Sequence, residues 1–377
     1  MVLSAHYEQQ NRTALVSRPP PDLYNVIEPA GLIQHFLAAP PYGFRVQTLP
    51  AQAPGFVTPF DLLTTMDPSK RRRFYALPFA RWWRRFLTPS TCFVGTTVSE
   101  YAPLPRSAAP GDFVRALLAD VGQNYPFLIV KDLPTDAVLV GDAAWRASRA
   151  LAAACTDSGF VLMEGQALAY VLIDFPSIEA YLARMSKVRR KDLKRKLKAG
   201  ADLQVDVVQT GDAMFRDETV LANFYVLYKN VYEQSEIHFD LLSEAFLRRV
   251  LQDGTAQGVV FVYRVREELI GYNICFVEGQ RLIDKYVGFL YPQAREHNLY
   301  AVSWFRNLDY ALANGLQCYV AGWTDPEIKR YLGARFSMTQ HAVYVRNRLL
   351  RRILRSFRRL FESDHRWHLS NVPDADS

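Results

Sequence analysis

The stretch GVVFVYRVREELIGYNICFVEGQRLIDKYVG, residues 258–288, decides the fold of this chain. It contains three runs rich in valine, isoleucine, tyrosine and phenylalanine, separated by the short turns Arg266–Glu268 and Glu278–Gln280. Gly279 lies inside the second turn, where a tight reversal favours glycine. Runs of this composition at this spacing are typical of hairpins, so the sequence predicts three consecutive strands.

Helix and strand patterns continue on both sides of this stretch. The predicted elements are strand 203–208, helices 218–234 and 241–252, the three strands above, helix 293–314, strand 316–320, helix 326–331 and strand 341–345. Gly315 ends the long helix, and Pro326 suits the first turn of the short one. The predicted order is therefore β-α-α-β-β-β-α-β-α-β.

The first half of the chain shows shorter elements, and a basic helix links it to the second half. Ser177 stands where a helix N-cap belongs, apolar residues follow at roughly helical spacing, and Gly200 stops the pattern. The predicted divisions are a poorly ordered segment (1–29), an α/β domain (30–176), the linking helix (177–200), a second α/β domain (201–346) and a basic amphipathic helix with a tail (347–377).

Positive charge is concentrated in three short windows. The chain has 45 Lys and Arg against 38 Asp and Glu, a formal net charge of +7. Residues 70–87, 187–198 and 346–359 hold 22 of the basic residues and one acidic residue, so the rest of the chain has a net charge of −14. Such windows favour anionic partners, namely phosphates, nucleic acid or lipid headgroups, and a solvated helix face is the plain alternative.

Composition excludes several classes of protein. With 377 residues, 49% hydrophobic and 22% charged, the chain matches a globular protein of about two domains rather than a disordered chain, a collagen or a coiled coil. The four cysteines are far apart and form no CxxC pair, which excludes a zinc ribbon and favours a reducing, cytoplasmic location. Neither a spanning helix nor a metal-ligand spacing is predicted.

Three segments resemble a known family. YALANGLQCYVAGWTDPEIKRYLGARF (310–336) resembles the C-terminal signature of FemAB-like members of the GNAT acyltransferase superfamily, with Lys329 as its lysine. YLARMSKVRRKDLKRKLKAG (181–200) resembles the basic linking helix of that family. VYEQSEIHFDLLSEAFLRRVL (231–251) resembles a segment that the family carries at the same place. The resemblance covers roughly residues 160–350.

The resemblance implies an α/β (α+β) fold of two GNAT-like domains in tandem, each a mixed, mostly antiparallel twisted sheet flanked by helices. GNAT enzymes transfer an acyl group from a thioester, usually acyl-CoA, to an amine that attacks the carbonyl directly. In the superfamily two neighbouring strands part to form the acyl slot, and a glycine-rich loop holds the pyrophosphate of the donor. Here the matching loop, 291–298, contains Gln293 and Arg295 but no glycine. Fem-like relatives use aminoacyl-tRNA as donor, so both acyl-CoA and aminoacyl-tRNA stay open.

The resemblance and the residue types together give three candidate catalytic residues. Lys329 follows a strand and a glycine-containing loop, where an ammonium suits an oxyanion or a phosphate; an exposed lysine paired with Asp325 is the alternative. Asp284 lies within a predicted strand beside Lys285, and strand alternation places the two on opposite faces. His238 is a candidate general base, or else an ordinary loop histidine.

The remaining candidates would bind the donor or the substrate. They comprise aromatic residues that would line a pocket, basic residues that would bind phosphate, and neighbours of Lys329. For each of them, ordinary packing or a solvated surface is the alternative. The residues are Lys285, Tyr286, Tyr291, Gln293, Arg295, Trp323, Asp325, Arg189 and Arg190.

Two functions of different class follow from these observations. The first is an N-acyltransferase with an acyl donor, acyl-CoA or aminoacyl-tRNA, and an amine acceptor. The second is a non-catalytic GNAT-like scaffold that binds anionic lipid or nucleic acid, such as tRNA, through the cationic windows. Windows 70–87 and 346–359 mix arginine with large apolar residues, as segments that lie on an anionic membrane surface do. Peripheral association with the inner face of the membrane is therefore also expected.

Overall fold

The computed structural model describes residues 22–61, 87–200, 202–235 and 238–357. The described part of the chain forms two compact units. The first is built from both ends of the chain, up to Ala167 and again from Ser337, and the second is the continuous stretch Leu168–Phe336. Each unit has its own hydrophobic core.

The described residues form the following strands and helices. The strands are β1 (Leu23–Tyr24), β2 (Arg45–Thr48), β3 (Pro54–Pro59), β4 (Ser90–Val94), β5 (Leu104–Pro105), β6 (Phe127–Pro134), β7 (Val161–Leu172), β8 (Gln204–Gln209), β9 (Gly258–Val265), β10 (Glu268–Glu278), β11 (Arg281–Phe289), β12 (Cys318–Gly322) and β13 (Arg335–Val345). The helices are α1 (Gly31–Ala38), α2 (Pro110–Asp120), α3 (Asp142–Asp157), α4 (Ile178–Ala183), α5 (Lys187–Ala199), α6 (Glu218–Gln234), α7 (Glu244–Gln252), α8 (Gln293–Glu296), α9 (Leu299–Ala313), α10 (Pro326–Leu332) and α11 (Arg348–Phe357).

The sheet of the first unit has the order β2-β3-β4-β6-β13. The pairs β2–β3, β3–β4 and β6–β13 are antiparallel, and β4–β6 is parallel. Helices α2 and α3 bury apolar residues such as Phe113, Leu117 and Leu151 against this sheet. Strand β13 contributes Ala342 to the same core, so the end of the described chain completes the unit that its beginning starts.

The sheet of the second unit has the order β7-β12-β11-β10-β9-β8, where β7 contributes residues 169–172. Only β11–β12 is parallel among these pairs. Helix α6 packs on it through Phe224, which stacks on Tyr272 with ring centroids 4.3 Å apart, and α7 through Phe246 against Tyr286. Helices α4, α5 and α9 share another core with the sheet. The α/β fold class, with a mixed and mostly antiparallel sheet flanked by helices, is confirmed.

Some predicted elements have different bounds in the structure. The linking helix predicted over 177–200 is two helices, α4 and α5, because Ser186 adopts an extended conformation and its side chain caps the second helix at Arg189. The helix predicted over 293–314 is likewise divided into α8 and α9 at Asn298, which has a left-handed conformation. The predicted domain boundaries stay predictions.

The segment predicted to be poorly ordered, 1–29, lies largely outside the described residues. Residues 22–29 belong to the first unit: β1 pairs with β5, and Ile27 and Glu28 are buried. The cationic window 70–87 also lies outside the described residues, apart from its last position.

Two features are absent from the residues that the structure describes. Within them, no helix combines the length and the apolar character that crossing a bilayer requires. Over the same residues, no group of three or more His, Cys, Asp or Glu side chains is arranged to hold a metal ion.

Candidate functional site

The parallel strands β11 and β12 separate partway along their length. Their register runs from Arg281 opposite Cys318 to Ile283 opposite Val320 and stops there, although β11 continues to Phe289. On the other edge of β11 the register with β10 shifts by one residue between Ile274 and Cys275, so Lys285 is the extra residue of a β-bulge. The ladder between β11 and β12 thus ends one residue before Asp284, on the pair of strands where the resemblance implies the acyl slot.

Asp284 is the charged residue at this opening. Its Oδ2 accepts hydrogen bonds from Asn307 Nδ2 at 2.9 Å and from the Tyr319 hydroxyl at 3.0 Å. Its Oδ1 is buried and accepts no hydrogen bond from the described residues. Burial raises the pKa of Asp284 to about 6, and the Tyr319 hydrogen bond and the positive charge of Lys329 limit the rise. The carboxylate therefore has one oxygen fixed by two hydrogen bonds and one buried oxygen that accepts none from the described residues.

A buried polar chain leads from Asp284 into the core. Asn307 Oδ1 accepts from Asn273 Nδ2 at 2.9 Å, and Asn273 Oδ1 accepts from the Tyr263 hydroxyl at 2.7 Å. Asn273, Asn307 and Tyr263 have no exposed surface. A buried polar residue is retained only when it is hydrogen-bonded, so the chain fixes the orientation of the Asp284 carboxylate.

Sequence reasoning missed these supporting residues. Asn273 interrupts an apolar strand and Asn307 an apolar helix, and a polar residue in such a position is the signal that would have found them. Tyr319 gives no such signal, because tyrosine is common in strands. Its role depends on the pairing of β12 with β11, which brings it opposite Leu282.

Lys329 is buried, with 5% of its surface exposed, on α10. Its ammonium donates hydrogen bonds to the backbone carbonyl oxygens of Gly322, at 3.0 Å, and Trp323. The Asp325 backbone carbonyl accepts from the Lys329 backbone N–H at 3.0 Å, in the first turn of the helix. The lysine thus holds the turn that follows β12, and the prediction that it acts in catalysis stays a prediction.

Electrostatic interactions place the loop residues near this turn. Burial raises the pKa of Tyr300, at the start of α9, and the negative charges of Asp325 and Asp284 raise it further. Burial likewise raises the pKa of Tyr291, the positive charge of Arg295 lowers it, and the negative charge of Asp325 raises it. Asp325 and Asp284 are therefore close enough to Tyr300 for their charges to raise its pKa.

The loop that lacks a glycine is folded into a short helix. Arg295 lies over the ring of Tyr291, 4.9 Å from its centroid, and donates to Oε1 of Gln234. Gln293 Oε1 is buried and accepts no hydrogen bond from the described residues. Arg295 thus packs on Tyr291, and both predicted residues, Gln293 and Arg295, lie in the short helix α8.

A second polar feature of this unit is a pocket of about 210 Å³ beside the C-terminal end of α10. Its polar lining consists of Arg184, Arg189, Arg335, Asp174 and Tyr181. Arg184 forms an ion pair with Asp174 at 2.5 Å. Arg189 donates to the Arg330 carbonyl at 2.8 Å, and its Nε is buried without a hydrogen-bond partner among the described residues. The excess positive charge suits an anionic group.

Four other predicted residues lie apart from this arrangement or in its packing. His238 is exposed and contacts the ring of Tyr232 edge-on at 5.1 Å. Tyr286 is buried against Phe246 of α7, whereas Asp284 faces Asn307 of α9. Arg190 donates weakly to the Ala183 carbonyl at 3.5 Å. The bulge interrupts strand alternation at Lys285, so alternation does not assign its face.

Comparison with known proteins gives one family match. A family described as peptidoglycan biosynthesis/recognition, FemAB-like, matches residues 143–371, more than half of the chain. No curated protein shows a significant match.

Solved structures match over nearly the whole chain at low identity. The C-terminal domain (DUF2156) of a protein named as a lysylphosphatidylglycerol synthetase from Agrobacterium fabrum matches with a TM-score of 0.52 at 11% identity, covering 92% of this chain and 94% of that one. The structure of L-PGS from Bacillus licheniformis matches with a TM-score of 0.51 at 10% identity, covering 90% and 99%. FemX matches with a TM-score of 0.48 at 12% identity, covering 92% and 98%. Likeness at these identities concerns the fold alone.

Proposed function

Because this chain belongs to the FemAB-like family, we propose that it transfers an acyl or aminoacyl group from an activated ester or thioester to an amine. The family assignment confirms the resemblance carried by segments 181–200, 231–251 and 310–336. A transferase is the class of activity that this family supports. The observation that carries the finer proposal is the Asp284 carboxylate at the point where β11 and β12 separate.

In the proposed reaction Asp284 is the general base. The amine nitrogen attacks the carbonyl carbon of the donor and forms the C–N bond, and the Asp284 carboxylate takes the proton that the nitrogen loses. The C–O or C–S bond to the donor then breaks, and the same proton passes from Asp284 to the departing alcohol or thiol. A base with a pKa near 6 is ionised at neutral pH and still accepts a proton readily. Asn307 and Tyr319 hold Oδ2, so the carboxylate keeps its orientation as it is protonated.

Lys329 has a positioning role in this proposal. Its ammonium fixes the carbonyl groups of Gly322, the last residue of β12, and of Trp323, which follows it. Its positive charge also stabilises the ionised form of Asp284. A fixed positive charge near the opening favours the negative charge that develops on the carbonyl oxygen of the donor.

The donor that we propose is an aminoacyl ester of tRNA. Without glycine, the backbone of 291–298 is less able to approach a pyrophosphate closely, which disfavours CoA. The acceptor that the family description supports is an amine on a peptide of a peptidoglycan precursor. A cytoplasmic location agrees with such a donor and stays a prediction.

The test is transfer of labelled amino acids from bulk aminoacyl-tRNA, and of acetyl groups from acetyl-CoA, to a peptidoglycan precursor peptide. Asp284→Asn should lower kcat at least 100-fold, since the amide cannot take the proton. For the native chain kcat should rise with pH through about 6 and then level off, because the carboxylate must be ionised. Glu278→Gln, an exposed change at the far end of the same hairpin, is the control and should leave kcat unchanged.

Three outcomes would contradict this assignment. Full activity of Asp284→Asn would remove the aspartate from the mechanism. Transfer from acetyl-CoA alone would replace the donor. Absence of transfer, together with tight binding of tRNA or anionic lipid, would favour the scaffold function, which the missing glycine in 291–298 also supports.

A further inference from the structure

The helix α11 presents large apolar side chains to solvent. Leu349, Leu350 and Ile353 are exposed to 65%, 49% and 46% of their surfaces. Positions 349, 350 and 353 fall on one side of a helix with 3.6 residues per turn. An exposed apolar stripe on a short helix needs a partner, because solvating it costs free energy in proportion to its area.

The opposite side of α11 is fastened to the first unit. The Arg351 guanidinium lies 4.1 Å from the ring centroid of Tyr344, and its Nε donates to the Val345 carbonyl at 2.8 Å. Asn347 caps the helix, because its Oδ1 accepts from the backbone N–H groups of Leu349 at 2.9 Å and Leu350 at 3.1 Å. These contacts hold the helix in place and leave the apolar stripe facing outward.

Positive charge flanks the apolar stripe. Arg348, Arg352 and Arg355 are exposed at spacings of four and three residues, so they form a row between the apolar stripe and the side of the helix that carries Arg351. The sequence carries no acidic residue between Arg346 and Arg359. Long arginine side chains reach past an apolar surface to meet anionic groups at its edge. An apolar stripe with basic residues beside it is complementary to a surface that has an apolar interior and negatively charged groups at its boundary with water.

We propose that α11 lies flat on an anionic lipid bilayer, with Leu349, Leu350 and Ile353 in the headgroup–acyl boundary and the arginine row against lipid phosphates. An interfacial helix of this kind needs both an apolar face and basic flanks. Each basic residue near an anionic leaflet contributes about 1 kcal/mol, or roughly fivefold in partitioning. The surface is distinct from the Asp284 opening and does not depend on the proposed reaction.

The experiment is co-sedimentation of the full chain with vesicles of phosphatidylcholine, with and without phosphatidylglycerol, at low and high salt. The native chain should bind only the vesicles that contain phosphatidylglycerol, and salt should weaken the binding. Leu349→Ser/Ile353→Ser should reduce partitioning at least tenfold. Arg348→Gln/Arg352→Gln/Arg355→Gln should reduce it roughly a hundredfold. Val226→Ser, which removes an exposed valine of α6, is the matched control and should not change it.

Three results would overturn the proposal. Equal binding of the native chain and both variants would place the membrane contact elsewhere. A native dimer that becomes monomeric in Leu349→Ser/Ile353→Ser, measured by light scattering, would assign the stripe to a second copy of the chain. Binding of a single-stranded RNA oligonucleotide without vesicle binding would assign the arginine row to nucleic acid. Because the altered side chains are exposed, unchanged thermal unfolding should accompany each variant.

Discussion

Burial changes what two charged side chains of the second unit can do. Burial on strand β11 raises the pKa of Asp284 to about 6, and Asn307 and Tyr319 fix one oxygen of its carboxylate. Lys329 is buried on α10, and its ammonium donates hydrogen bonds to two backbone carbonyl groups. A buried charge must be compensated, so each side chain is oriented by the groups that compensate it.

Lys329→Met should lower both stability and activity. The substitution keeps most of the aliphatic volume but leaves the carbonyl oxygens of Gly322 and Trp323 without their ammonium donor. Leaving buried acceptors unpaired costs about 1–3 kcal/mol, so the free energy of unfolding in urea should fall by that amount. Lys194→Met, an exposed change on α5, should cost less than 0.5 kcal/mol. Equal stability of the two variants would show that Lys329 does not hold the turn.

At the residue scale, the sequence predicted the residues that stand in a motif or break a pattern of hydrophobicity. Lys329 was found through its segment, and Asp284 through its place within a strand. The partners Asn307 and Tyr319 come from elements that are distant along the chain, and pairing alone brings them to Asp284. The predicted role of His238 has no support from its exposed position.

At the element scale, α10 connects the two polar features of the second unit. It begins after the turn at Gly322, its middle carries Lys329, and it ends at Gly333 beside the arginine-lined pocket. Gly333 has a φ of +107°, and an added Cβ would clash with the hydroxyl of Tyr181. That hydroxyl donates to the Leu332 carbonyl at 2.7 Å, so it cannot move away without losing its acceptor.

Gly333→Ala should therefore be much more costly than a comparable change at another helix end. Gly315 also follows a helix with positive φ, +64°, but has open space around its Cα. Gly315→Ala should cost about 1 kcal/mol for the strained backbone, whereas Gly333→Ala adds the clash and should cost at least 2 kcal/mol more. Urea unfolding of both variants measures the difference, and similar losses would show that the contact with Tyr181 adapts.

The element order of the second half was predictable because its signals are local. Hairpin turns, the cap at Asp217 and the stop after α9 all act within a few residues. The break between α4 and α5 was missed because apolar residues keep a helical spacing across it, while Ser186 starts a new helix there. The bulge at Lys285 depends on the neighbouring strand, so no local pattern indicates it.

At the scale of the whole molecule, the chain begins one unit, builds a second one and then returns to finish the first. Strand β13 pairs with β6 from Thr339 opposite Pro134 to Val345 opposite Phe127. The second unit uses a continuous stretch, Leu168–Phe336. The sequence predicts two domains in series. The pairing of β13 with β6 joins residues some 200 positions apart, so no local sequence pattern indicates it.

This arrangement predicts different behaviour for fragments of the two units. A fragment of residues 168–336 should unfold cooperatively on heating, because its sheet and core are internal to it. A fragment of residues 1–167 should lack a cooperative transition, since the strand that pairs with β6 is missing. Adding a peptide of residues 337–357 should restore a transition in the second case. Circular dichroism during heating measures both, and a cooperative transition of 1–167 alone would contradict the prediction.

The split first unit also sets an order of events during translation. The ribosome releases Leu168–Phe336 before it releases β13. The second unit can therefore fold while the first unit must wait for its last strand. At about 5–20 residues per second, that wait amounts to roughly ten seconds or more after the early strands emerge. Until β13 is synthesised, one edge of the apolar strand β6 lacks its partner, and we expect chaperones to bind there.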